Sequence, residues 1–139
     1  METMAMVIRD DSYDKLLTPL VFAYLAAGAD ETQVDMLFVN WAAKAMTEEG
    51  AKALVVDGRH ADQDGWLREQ VAKAGLPNDI YQILKALKET GRVNMYVCSM
   101  AAQIFGVNQD NIIPEASDIV GANWFLNEKM AKADHCQYF

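Results

Sequence analysis

Three short apolar runs set the limits on the fold. Met4–Ile8 (MAMVI) is the first, Gln33–Trp41 is nearly continuous in apolar residues after Asp35, and Val93, Met95 and Val97 carry the third, VNMYVC. Runs of this kind suit parallel strands covered on both faces, and parallel strands need long crossover connections between them. The sequence in between supplies helical spacing. Leu17, Leu20, Val21 and Tyr24 recur at that spacing before Gly28, and Ile80, Ile83, Leu84 and Leu87 fall at i, i+3, i+4 and i+7 before Gly91. Strand and helix alternate along the chain, which predicts an α/β fold with a mainly parallel sheet and helices on both faces.

The remaining elements follow from local signals. The first helix starts either at Ser12, with Asp14 favoured in its first turn, or at Thr18, with Pro19 as the first helical residue. Ala42–Glu49 reads as a helix with Gly50 past its end. Residues 51–65 are ambiguous: Leu54–Val56 is a candidate short strand and the rest is polar and loop-like. Asp64 is placed to cap a helix containing Trp66, Leu67 and Val71 that ends at Gly75, and Asn78 to cap the helix after it. Ser99–Phe105 is a short helix closed by Gly106, a loop runs through residues 108–114, a helix follows near Asp118–Ala133, and DHCQYF closes the chain as a strand. With no linker, repeat or low-complexity tract, residues 1–139 are expected to form one domain.

Composition narrows the function classes. Hydrophobic residues make up 52% and charged residues 23%, a balance that argues against disorder. The net charge of −8 leaves no basic face for nucleic-acid phosphates and disfavours anionic membranes. No apolar run approaches the length of a membrane span, and the N-terminal stretch lacks the basic region and apolar core of a signal peptide, so a cytoplasmic location is expected. The two cysteines, Cys98 and Cys136, are too few for a disulfide framework and lack zinc-ligand spacing. Both are expected to be free thiols.

Cys98 lies where the third strand ends and a helix begins. Ligands of open α/β sheets bind outside the carboxyl ends of strands, and helix-start N–H groups favour a negative charge on sulfur. Ser99 adds a hydroxyl donor. Asn40 and Trp41 fall at another strand end, on the same rim if the sheet is parallel, and His60 lies in the polar loop, so these three are candidates for the pocket rim. The plainer reading of Cys98 is a small core residue, because free cysteine is among the most buried types. Cys136 and His135 belong to the closing strand. Trp66, Trp124, Tyr81 and Phe125 read as core or interface residues on amphipathic helices. Two histidines without a matching carboxylate pattern make no metal site.

The C-terminal stretch YVCSMAAQIFGVNQDNIIPEASDIVGANWFLNEKMAKADHCQYF resembles the DsrE/DsrF-like sulfur-relay family. The resemblance rests on the order and spacing of Cys98, Gly106-Val107, Asp110–Ile113, Gly121-Ala122 and Ala133-Asp134. The first half is similar, more loosely, to the branch with a large insertion before the cysteine strand. This resemblance implies a three-layer α/β/α, flavodoxin-like fold assembled into homo-oligomers, trimers or hexamers. It implies that Cys98 accepts sulfur as a persulfide, or as a thiosulfonate adduct, and passes it between a donor and an acceptor protein, with no cofactor and no metal.

Three other readings compete. Sulfur-relay families contain members that only build the oligomer. Asp10, Asp11, Asp57 and Ser99 at strand ends look like a receiver-type phospho-acceptor domain, although no helix follows the last strand and no strand-end lysine follows Cys98. A nucleotide binder lacks its Gly-rich phosphate loop.

Overall fold

The computed structural model describes residues 1–139. Five parallel strands form one sheet: β1 (Thr3–Ile8), β2 (Gln33–Phe38), β3 (Val93–Cys98), β4 (Asp118–Val120) and β5 (His135–Tyr138), in the spatial order β4-β3-β2-β1-β5. The helices are α1 (Tyr13–Gly28), α2 (Glu48–Lys52), α3 (Asp64–Lys73), α4 (Ile80–Glu89), α5 (Ser99–Phe105) and α6 (Ala122–Glu128). Short 3-10 segments cover Asn40–Met46, Gly58–Gln63 and Met130–Lys132. The α/β class and parallel sheet expected from the sequence are those observed.

The order of the strands decides which face each helix covers. From β1 to β4 the chain steps across the sheet in one direction, so right-handed crossovers put α1, α4 and α5 on the same face. The return from β4 to β5 runs the other way and places α6 on the opposite face. Side chains agree with this division. Met6, Met36, Phe38, Met95 and Val97 are completely buried on the first face, and α4 adds Leu84 and Leu87, also fully buried. On the second face Tyr96 meets the rings of Trp124 and Phe125 from α6. That face is the thinner one, covered only by α6 and the 3-10 segment after it.

Several boundaries depart from the sequence pattern. Helix α1 begins at Tyr13 with Ser12 as its N-cap and runs through Pro19. The hydrogen bond that Pro19 cannot donate is the one to the carbonyl of Lys15, an exposed residue, so water can satisfy it. Ser12 holds the cap position without a cap bond, and its buried hydroxyl has no partner. Strand β2 stops at Phe38 rather than Trp41. The expected helix over Ala42–Glu49 is the 3-10 segment followed by α2, and Gly50 lies inside α2 because the turn presses against the carbonyl of Lys44, where a Cβ would collide. Leu54–Val56 buries Leu54 and Val56 but joins no strand. The cap of α4 is Asp79, whose carboxylate accepts from the Tyr81 N–H at 2.8 Å; Asn78 instead accepts the Tyr13 hydroxyl on its backbone carbonyl. The long helix expected over Asp118–Ala133 opens with β4, a strand made by pairing with β3.

No helix is long and apolar enough to cross a membrane.

Candidate functional site at the carboxyl edge of the sheet

Cys98 is the last residue of β3 and the N-cap of α5, in extended backbone conformation. Its thiol is free and buried, with 5% of the residue exposed. Strand β3 brings it to the carboxyl edge of the sheet between two neighbours. On one side it pairs with Val120 of β4. On the other, the last ladder pair is Phe38 with Val97, so Val39 stands level with Cys98.

The chain leaves the sheet one residue later. Asn40 has φ of 52°, the left-handed region that asparagine enters more readily than most residues. Trp41 follows and is half exposed, with its ring 4.8 Å from that of Phe105 on α5 and the Lys44 ammonium 5.5 Å above it. Ser99 is exposed at the start of the same helix. The structure therefore brings Asn40, Trp41 and Ser99 to the rim that carries Cys98.

His60 lies elsewhere. It sits on the 3-10 segment Gly58–Gln63 and lines a cavity of about 240 Å³ with Asp14, Val56, Gln63, Trp66 and Leu67. Cys98, Ser99, Asn40 and Trp41 do not line that cavity. Residues 57–65 are tied to their own surroundings: Asp57 faces Lys15 at 3.8 Å, and the Asp64 carboxylate accepts from the Val56 N–H at 2.8 Å and pairs with Arg68 at 2.7 Å. Those bonds, the Arg68 one first, hold the Asp64 carboxyl below its usual range.

Beside Cys98, on its own face of the sheet, stand side chains of β3 and of the edge strand β4. Tyr96 pairs with Asp118 and Cys98 with Val120, and paired residues of parallel strands point to the same side. Three of these four line an open cleft of about 610 Å³, completed by Ser117, Gly121 and Trp124. The Tyr96 and Trp124 rings meet edge to face at 5.4 Å. Sequence reading missed this cleft. Its signal was Ile119-Val120 between Asp118 and Gly121, a β-branched pair too short to stand out from the helix that follows it.

Other candidate groups stay apart. Cys136 is exposed on the edge strand β5, its sulfur 3.5 Å from the Met130 carbonyl oxygen. Asp11 and Asp57 line one cavity with Ser12 and Lys44, and Asp10 does not join them. No three His, Cys, Asp or Glu side chains gather closely enough to hold a metal ion.

A parallel five-stranded sheet with helices on both faces defines the class, an α/β protein, and its third strand ends in a free thiol. The chain belongs to the DsrE/DsrF-like family, whose model matches residues 5–136. No curated protein matches the sequence. Among solved structures, it is similar to the ychN protein from E. coli, with 16% identity, a TM-score of 0.70 and complete coverage of both chains. It is also similar to the protein of unknown function BT1422 from Bacteroides thetaiotaomicron (9% identity, TM-score 0.65, covering 99% of this chain and 95% of that one). A third is MTH1491 from Methanobacterium thermoautotrophicum (11% identity, TM-score 0.58, 99% of each chain). At these identities the likeness concerns the fold.

Proposed function

We propose that this protein is a cytoplasmic sulfur carrier that takes sulfur as a persulfide on Cys98 and hands it to a partner protein. The observation that carries the reading is the position of Cys98: a free thiol ending strand β3, next to the edge strand β4, in a DsrE/DsrF-like chain. The Cys98 thiolate attacks the outer sulfur of a donor persulfide; the S–S bond breaks and the donor leaves as a thiolate, leaving Cys98-SSH. An acceptor thiolate then attacks that outer sulfur, and Cys98 departs as thiolate. The two steps are thiol–disulfide exchange in form and need no outside oxidant or reductant. Asn40, Trp41 and Ser99 stand at the same carboxyl edge of the sheet as Cys98 in this reading, whereas His60 serves a separate cavity. The stretch of residues 39–92 between β2 and β3 supports assignment to the branch with an insertion before the cysteine strand.

We further propose a homo-oligomer, a trimer or hexamer. Met100 and Ile104, 68% and 66% exposed and one turn apart on α5, supply apolar surface beside the site. A second reading, a subunit that only builds the assembly, is favoured by the burial of Cys98.

Reduced protein incubated with polysulfide and weighed intact separates the two. Both proteins compared carry Cys136→Ser, so that the exposed second thiol takes no sulfur. The carrier gains sulfur with Cys98 present and none once Cys98→Ser is added; no loading with Cys98 present removes Cys98 as the acceptor.

A further inference from the structure

We infer that the cleft lined by Tyr96, Ser117, Asp118, Val120, Gly121 and Trp124 receives a basic, cysteine-bearing segment of the partner protein and presents it to Cys98. The inference rests on the sulfur-carrier reading of Cys98 and names the route by which the partner arrives.

Four observations meet here. The ladder pairs Tyr96–Asp118 and Cys98–Val120 put all four side chains on the α6 side of the sheet, so the thiol and the cleft share a face. The cleft follows β4, an edge strand with no further strand beyond it, where an extended segment can lie against free backbone groups. Trp124 is 42% exposed and stands edge to face on Tyr96, giving the large, rigid contact surface on which interfaces concentrate their energy. Asp118 is exposed on the cleft wall in a chain of net charge −8, which selects a basic visitor. Lys129 lies 5.7 and 5.9 Å from the two ring centroids and is answered by Asp35 at 3.3 Å.

The test uses charged methanethiosulfonates on the Cys136→Ser protein, so that Cys98 is the thiol that reacts. The Cys98 thiolate attacks the sulfenyl sulfur, a disulfide forms, and methanesulfinate leaves with the electron pair. The aminoethyl reagent is expected to react faster than the sulfonatoethyl reagent, and Asp118→Asn to reduce that ratio about threefold or more, as expected for one nearby charge in a watery cleft. Asp62→Asn, an exposed change of the same charge on the 3-10 segment Gly58–Gln63, controls for net charge and leaves the ratio unchanged.

The occupant is tested by protection. A short lysine-flanked peptide with serine in place of cysteine slows the aminoethyl reaction of the Cys136→Ser protein and protects several-fold less when Trp124→Ala is added. A ratio indifferent to Asp118→Asn, or protection that Trp124→Ala leaves intact, overturns the inference. Protection by glutathione and not by the peptide makes the occupant a small thiol and also overturns it. Polysulfide loading keeps the two readings separate. A protein that loads sulfur on Cys98 yet ignores Asp118 retains the carrier function without the cleft. One whose Cys98 responds to Asp118 but takes no sulfur retains the cleft without the carrier function.

Discussion

The Lys129 ammonium stands 3.3 Å from Oδ1 of Asp35, a nearly buried carboxylate in the middle of β2 that also accepts from the Asn94 amide at 2.9 Å. This pair fastens the segment after α6 to the sheet face that it covers. Burial works against the charge on Lys129, but Asp35 and Tyr96 outweigh it and raise its pKa above the usual 10.5.

Removing one partner leaves the other half-desolvated. Asp35→Ala is expected to cost about 1–3 kcal/mol in urea unfolding, while the double change Asp35→Leu with Lys129→Met recovers part of that loss, the Asn94 amide still lacking its acceptor. Because the Lys129 value is raised in the folded state, the pair's contribution is complete below pH 10.5 and is lost as pH rises beyond it. A wild-type protein that matches Asp35→Ala in stability at neutral pH would contradict this account.

Asp64 titrates at the opposite end of the scale. Its carboxyl is held low by Arg68 and by the Val56 N–H, so its contribution is present above the ordinary value of 3.8 and disappears as pH falls through the lower folded value. Asp64→Ala is expected to cost about 1 kcal/mol at neutral pH, the partly exposed setting limiting the loss. The gap between variant and wild type in thermal unfolding should close on acidification below that range.

At Asn40 the backbone, rather than a contact, is the quantity at stake. With φ of 52°, a β-branched side chain is strained and glycine is not. Asn40→Val is expected to lose about 1–2 kcal/mol and Asn40→Gly to stay within about 1 kcal/mol of wild type. Chemical denaturation of the two variants side by side checks the order.

Gly50 is constrained by space. It has no unusual φ, but a Cβ there meets the Lys44 carbonyl oxygen at the bend between the 3-10 segment and α2. Gly50→Ala should therefore destabilise by about 2 kcal/mol or more, although alanine is the better helix former on an open surface. Unfolding midpoints at matched pH decide between the two effects.

What the sequence by itself determined was whatever depends on neighbours along the chain. The apolar runs of β1, β2 and β3, the i, i+3, i+4, i+7 face of α4, and the place of Cys98 between strand and helix are all local patterns. Tertiary structure decided the rest. Strand β4 is three residues long, too short to carry a period, and it exists because Tyr96 and Cys98 offer it partners. Gly50 reads as a helix stop until the Lys44 carbonyl is seen against it. His60 reads as a rim residue until the ties of Asp57 and Asp64 hold its loop beside α1 and α3. The cleft beside Cys98 joins β3, β4 and α6, elements brought together by a crossover across the whole sheet, and no local spacing encodes such a meeting.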